Sequence, residues 1–527
     1  MDAQVDPADD ADDGPAPEAA AAAEAAETAP AQAAPQATQS VPRPTRVAAP
    51  APPTTFVLRD IVFANSSRLL NEDALARAEA QLVGKRYRRS QAAAIAQALN
   101  VLYTARGYSL SQVVLQGFNP GRGTLTVAFY EPRVGDVRGG TPVMSNAYLR
   151  HRMNLPRDVP ADAAGVSERV ERLGVTDGLT LTYTPVDTGT GEVDILVNVP
   201  EIPRHQTTIS LDNYGSPAYG EPQLSISHRI NGLFGWNDPL VLGGILRPGL
   251  RSLSLDYSAA VAPSGARLSL SLLGSESASL ETPSVLGSVR SATAGVNFPI
   301  IARNDLQFSL SASVSAFAEM AELSGVPTLD QVGGEVTLGA SAFTRGESWT
   351  FSGSVQLAAG TYDDAVASTT GNTYAAVSGN ATFTTLLGED VFGSVSLQGQ
   401  KNITGTQPSQ RTFTTTAPYA VRGYPTGLAV GDSGYAVRAQ VEKTTPFTLG
   451  DGFSLRPFAF ADIGEAFDAT DTGLGLASSI GLGVSFGNED GSLFGDLYVA
   501  KPITTAITGW TTPSTRPVIA GAVSLQF

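Results

Sequence analysis

From about residue 204 to the C-terminus, apolar and small polar residues alternate in one short segment after another. The clearest segment runs from Leu306 to Ser315: Leu306, Phe308, Leu310, Ala312 and Val314 fall on one face, and Gln307, Ser309, Ser311, Ser313 and Ser315 on the other. A period of two predicts a strand with one oily and one wet side. The wet side is mostly Ser, Thr, Gln and Gly, which suits a watery lumen, and the oily side then meets lipid. Segments of this kind begin near residues 206, 223, 239, 250, 266, 288, 305, 333, 348, 371, 390, 433, 452, 475, 492 and 519. The pattern predicts a membrane β-barrel of about sixteen antiparallel strands over 204–527, even-numbered as single-chain bacterial barrels are. The gap from Gln400 to Ser433 is too long for a hairpin turn and marks a functional loop.

Ahead of the barrel the periodicity changes. Residues 54–131 read as strand, helix, helix, strand, strand. Phe56–Phe63 is a strand, and Asn71 caps a helix bearing Leu75, Ala78 and Leu82 that Gly84 ends. Ser90 caps a second helix bearing Ile95, Leu99 and Leu102, closed by Gly107. Strands Leu110–Gln116 and Thr124–Tyr130 flank the turn Asn119-Pro120-Gly121. Residues 132–203 repeat this order: strand Val134–Arg138, helical segments at Ala147–Met153 and Ala161–Leu173, a stop at Gly174, and a hairpin of Leu179–Thr184 with Glu192–Val199. Tyr103, Tyr108 and Phe118 are read as core of the first unit. Lys85-Arg86-Tyr87-Arg88-Arg89 is read as a solvated connection between its helices, with anionic headgroups or an acidic client as the alternative. Residues 1–53 are an Ala/Pro/acidic tail, expected to be disordered, with a possible plug helix within Glu18–Glu27.

Composition narrows the function classes. Charged residues are only 16% of the 527, and there are 54 Gly, as a lipid-facing wall requires. The net charge of −16 argues against a nucleic-acid partner. Cysteine is absent, which removes disulfides, thiolate nucleophiles and Cys-ligated metals. His151, His205 and His228 fall in no triad or metal spacing, so neither an enzyme, a cofactor nor a metal is expected. Met1–Pro7 lacks the basic and apolar regions of a signal peptide, so either a leader removed earlier or a misassigned start site is expected.

Three short tracts carry a resemblance. Val421-Arg422-Gly423-Tyr424 lies in the long loop, followed by Gly431-Asp432-Ser433-Gly434. Phe460-Ala461-Asp462-Ile463-Gly464 lies on the predicted thirteenth strand, and the alternating Ile519–Phe527 ends the chain on an aromatic residue. With Leu211-Asp212-Asn213-Tyr214-Gly215 at the barrel start, they resemble the two-partner secretion transporters, the hemolysin/hemagglutinin secretion-activation family. Ala417-Pro418-Tyr419-Ala420 stands where that family commonly has a Gly-Gly pair.

The resemblance implies two POTRA domains in the periplasm (54–131 and 132–203), an outer-membrane barrel, and a loop tip folded into the lumen. It implies that Phe527 ends a barrel-assembly signal read by the barrel assembly machinery. It also implies that the partners are outer-membrane lipids and an unfolded exoprotein of adhesin or hemolysin type. Alternation places Phe460, Asp462 and Gly464 on one face, and the cost of charge in lipid turns Asp462 into the lumen. From the residues alone, Arg422 on a solvated loop and Asp462 as an ordinary lumen acid is the simpler reading. The matched motif order implies instead a contact between them. An assembly factor for other barrels and a porin-like channel remain the alternative functions.

Overall fold

A computed structural model describes residues 54–449, 452–504 and 516–527. The tail 1–53 and its expected plug helix lie outside them.

In the first unit the expected strand Phe56–Phe63 divides at Leu58-Arg59. Thr55–Val57 pairs antiparallel with Arg86–Arg88, whereas Asp60–Phe63 pairs parallel with Thr124–Tyr130. The basic run is therefore a strand, a correction to its reading as a helix connection. Alternation turns Tyr87 in, 6.1 Å from Phe56, and leaves Arg86 and Arg88 exposed. Helix Glu72–Leu82 begins where Asn71 Oδ1 accepts from the Ala74 N–H at 3.0 Å, and Gly84 follows with φ 86°. Ser90 caps no helix. It sits inside the 3₁₀ turn Arg89–Gln91, which Gln91 Oε1 closes by accepting from the Arg88 N–H at 2.8 Å, and Ala92–Ala98 follows directly. Tyr103, Leu125 and Val127 are fully buried, and Tyr108 and Phe118 pack against the same core. Burial raises the pKa of Glu131, but the Ser67 and Tyr103 hydroxyls and the Arg68 and Leu69 N–H groups outweigh it, so it lies below the ordinary value.

The second unit is a three-stranded sheet in the order Arg133–Arg138, Glu192–Asn198, Thr182–Asp187. Its helices are Asn146–Met153 and Ala163–Asp177, with N-caps Ser145 and Asp162. Gly174 does not stop the second helix. A Cβ there would meet Leu179 O at 2.6 Å, so the glycine serves close packing, and Gly178 (φ 67°) ends the helix.

Sixteen antiparallel strands among the described residues close a barrel from His205–Asp212 round to Val518–Gln526. Ser433–Lys443 and Phe447–Leu449 both pair with Phe453–Phe467 and make one interrupted strand. Last and first strands join through five residue pairs, Ala522↔Asp212 to Gln526↔Thr208. Phe527 extends this seam, donating its N–H to Thr207 O at 3.0 Å and accepting from the Thr207 N–H at 2.7 Å. Most starts fall within three residues of those expected. The exception is the strand expected from 333, which begins at Val326 after the turn Ser324-Gly325, where φ is 51° and 80°. Gly333 lies inside this strand, where a Cβ would meet the Phe317 ring at 2.7 Å.

The second unit packs on the barrel end where His205 begins. Met144 bridges to Trp236, whose ring lies 5.6 Å from Tyr148. Asp177 takes Arg152 Nη1 at 2.8 Å, both side chains 0% exposed, and Arg267 of the barrel at 3.5 Å. The Tyr148 hydroxyl donates to Asp177 at 2.7 Å. A buried arginine that loses its carboxylate costs about 3–5 kcal/mol. Asp177→Ala is therefore expected to speed limited proteolysis near residues 200–204 while the barrel keeps its heat-modifiable mobility on gels. An unchanged cleavage rate would show that the ion cluster does not set the seating of the second unit.

Candidate functional site

The segment between Val391–Gly405 and Ser433–Lys443 leaves the barrel end remote from the second unit and folds back inside the wall. Its limbs form the ribbon Phe413–Thr414 with Val430–Gly431. The Thr415 N–H donates to Ala429 O at 2.9 Å, and Thr416 Oγ1 accepts from the Leu428 and Ala429 N–H groups at 2.9 and 3.1 Å. These bonds close a tight tip in which the backbone and the Thr416 hydroxyl satisfy the polar groups of the turn. Gly431 and Gly434 let the ribbon descend. A Cβ would meet Phe467 O at 2.3 Å from the first and the Phe413 ring at 2.3 Å from the second.

At the tip, Arg422 and Asp462 meet. Arg422 Nε donates to Asp462 Oδ2 at 2.8 Å and Nη2 to Oδ1 at 2.9 Å, the two-pronged geometry that a guanidinium and a carboxylate share. The Arg422 backbone N–H adds a third bond to Oδ2 at 3.2 Å, and Nη1 donates to Gln440 Oε1 at 3.0 Å. The side chains are 4% and 0% exposed. Phe460 lies flat beneath the guanidinium, 3.5 Å from ring centroid to Cζ, and Tyr498 stands 5.8 Å away. Desolvation offsets much of the attraction, so the pair fixes position more than it adds stability.

The other motif residues shape the space around this pair. A Cβ on Gly464 would meet Tyr435 O at 2.5 Å, Thr415 Cγ2 at 2.8 Å and Val421 Cγ2 at 3.0 Å, so the loop rests directly on this gap in the wall. Gly423 has φ 88°, and a Cβ there would strike Ala500 Cβ at 2.8 Å. Val421 is fully buried, and the Tyr424 hydroxyl lies 2.7 Å from Ser478 O and 2.8 Å from Thr504 O. Tyr214, from the tract at the barrel start, donates to Asp496 at 2.9 Å and joins the cluster of Phe458, Phe460 and Tyr498. Ala417 and Ala420, standing where a Gly-Gly pair was expected, pack against Ala436, Ala466 and Ala477 of the wall. Their small side chains keep the close approach that glycines would allow. Phe527 lies away from the tip, at the seam, 72% exposed.

A second anchor on the same loop was missed in the sequence. Arg411 Nε donates to Glu335 Oε2 at 2.7 Å, Nη2 pairs with Oε1, and the Tyr374 hydroxyl donates to the same carboxylate at 2.7 Å. Glu335 lies on Val326–Arg345, five strands before the strand of Asp462. The signal was present: Glu335 shares the lumen face with Gly333 and Thr337, and Arg411 lies in the long loop. His205 and His228 stack with ring centroids 5.6 Å apart on the outer side of the first two strands. Among the described residues no group of three or more His, Asp or Glu is placed to hold a metal.

The model of the haemolysin secretion/activation protein family ShlB/FhaC/HecB matches residues 191–486, more than half of the chain. The chain belongs to this family. The ShlB-type POTRA domain model matches residues 56–131, which is the first α+β unit. The heme/hemopexin transporter protein HuxB of Haemophilus influenzae (strain 86-028NP) is 24% identical over 200 residues, 36% of this chain and 34% of that protein. The chain thus spans about a third of the length of the curated relatives it matches. CdiB from Escherichia coli superposes with a TM-score of 0.64 at 16% identity, over 92% of this chain and 93% of that one. CdiB from Acinetobacter baumannii gives 0.61 at 14%, over 90% and 91%. BamA from Haemophilus ducreyi lacking POTRA domains 1–3 gives 0.55 at 14%, over 90% and 100%. At these identities the structures share the fold.

Because the chain has no cysteine, one introduced thiol reports loop position cleanly. Ala420 is fully buried under the tip. Ala420→Cys is expected to resist a bulky maleimide in the native background and to react at least about tenfold faster once Arg422→Ala removes the pair, a loss on the order of 3–5 kcal/mol. Equal protection in both would mean that the tip is held without Arg422.

Proposed function

We propose that this chain is an outer-membrane translocase that secretes a partner exoprotein of adhesin or hemolysin type through its barrel. The observation that carries the reading is the folded-in loop of a ShlB/FhaC/HecB-family barrel, with Arg422 on Asp462 and Phe460. A passive pore needs no internal segment held by a buried ion pair. Val421, Arg422, Gly423 and Tyr424 act here as the functional tip, and Phe460, Asp462 and Gly464 as its seat on the lumen wall.

In this reading residues 132–203 form a second POTRA domain, and both units face the periplasm. Each offers an unpartnered sheet edge. Gln112–Asn119 is one edge strand in the first unit, with Val114 exposed, and Thr182–Asp187 one edge strand in the second, with Val186 exposed. An extended client segment adds to such an edge through backbone hydrogen bonds, which tolerate varied sequence. The client then enters the lumen past the seating of the second unit. Phe527 and the strand before it serve as the signal for the barrel assembly machinery, and the outward Leu, Val and Ile residues meet membrane lipid. The reading requires neither catalysis nor a cofactor.

The test compares medium and surface proteins of a wild-type strain, a deletion strain and the deletion strain complemented with the native chain. Loss of one large exoprotein on deletion, restored by the complementing copy, is the expected result. A general loss of outer-membrane barrels would indicate an assembly factor instead. An unchanged exoproteome under conditions of expression, with ion conductance retained by the purified protein, would favour a porin-like channel.

A further inference from the structure

The outward surface of the barrel carries an arginine, Arg290, at the margin of its apolar band. On Leu250–Ala260, Arg267–Ala278 and Val285–Ala302, alternation and register give the outward rows Leu253, Leu255 and Tyr257; Leu268, Leu270 and Leu272; and Ala292, Ala294, Val296 and Phe298. Toward the end remote from the α+β units the same rows continue into Arg251, Glu276 and Arg290. Arg251 stands directly opposite Glu276, a residue of opposite charge across the strand pair. Arg290 stands opposite Gly274 on one side and Ala318 on the other, and among the described residues it has no ion pair and no side-chain hydrogen bond.

The space beside Arg290 is open. A Cβ on Gly274 would meet nothing within 4 Å. Leu253, Leu255, Leu272, Gly274 and Arg290 are among the residues lining an outward groove of ≈ 430 Å³, and Leu253 is 72% exposed. The height of the groove also fits a headgroup. From Arg290 to Phe298 the outward residues are apolar, a stretch that at strand rise and barrel tilt spans roughly 20 Å. Phe298 and Tyr257 then mark the other margin, as aromatic girdles do. Arg290 therefore lies at the boundary of the apolar band rather than in its middle.

We propose that this groove binds a phosphate-bearing lipid of the leaflet remote from the α+β units, the phosphorylated glycolipid lipid A. The guanidinium takes the headgroup phosphate in two-pronged fashion, and an acyl chain lies along Leu253, Leu255 and Leu272 in the gap left by Gly274. The choice of lipid A over a glycerophospholipid rests on the outer-membrane placement proposed above, which turns this margin outward.

The full chain, purified in detergent, is mixed with phosphorylated lipid A, dephosphorylated lipid A or phosphatidylglycerol and examined by native mass spectrometry. Arg290→Ala removes the charge, and Gly274→Leu fills the groove without touching it; heat-modifiability confirms an intact barrel in each. Retention of phosphorylated lipid A is expected to fall at least about tenfold in either variant, and in the native chain when the phosphates are removed. Equal retention by Arg290→Ala would overturn the site, and equal retention of phosphatidylglycerol would overturn the choice of occupant. Fractionation of the producing cells separates the two levels of failure. A chain found in the outer membrane with unaltered lipid retention sinks the site alone, and a chain absent from that membrane sinks the placement beneath it.

Discussion

A sheet placed in lipid has nowhere to leave an unpaired backbone group. Every strand of the barrel must therefore find two neighbours, and the first, His205–Asp212, must find the last, Val518–Gln526. They meet over five residue pairs, helped by the two bonds between Phe527 and Thr207. Once the ladder closes, period-two alternation does the rest: Leu, Val and Ile turn to lipid, and Ser, Thr, Gln and most of the ionisable residues turn to the lumen. The polar interior is thus a consequence of closure, and it is what allows a charged loop to enter.

A loop that enters such a lumen still carries arginines out of bulk water, and each is matched. Arg422 finds Asp462, Gln440 and the face of Phe460, and Arg411 finds Glu335 and Tyr374 five strands away. Two anchors so separated define the orientation of the loop as well as its depth. Between them the fit depends on what is missing: the absent Cβ atoms of Gly423, Gly431, Gly434 and Gly464, and the short side chains of Ala417 and Ala420. Removing one charge leaves the other buried and unpaired, so the loop is held more by the cost of leaving than by the gain of arriving.

The strands and their number were legible because alternation is a local signal, renewed in every hairpin. The capped helix at Asn71 was legible for the same reason. Boundaries set by distant partners were not. The split at Leu58-Arg59 arises because two different strands claim the two halves, and Arg86–Arg88 becomes a strand only because Thr55–Val57 is there to pair with it. Gly174 looks like punctuation in one dimension, yet it is a gap that the Leu179 carbonyl fills once the chain turns back past Gly178, and the strand start missed near 333 hides a second such gap, at Gly333, which the Phe317 ring fills. At the site, Arg422 and Asp462 were found because short motifs in a known order singled them out. Arg411 and Glu335 obey the same physics and were overlooked, because no motif drew attention to one arginine and one lumen acid among many.

In the function proposed above, the folded-in loop, held by a shared charge pair, is the working part of the barrel. The most direct test is a double-mutant cycle read on secretion of the client: Arg422→Ala, Asp462→Ala and both together, at matched outer-membrane levels. If the two residues act as one latch, each single change lowers secretion about as much as the double change does. Full secretion by either single variant, or losses that multiply independently in the double variant, would contradict the latch.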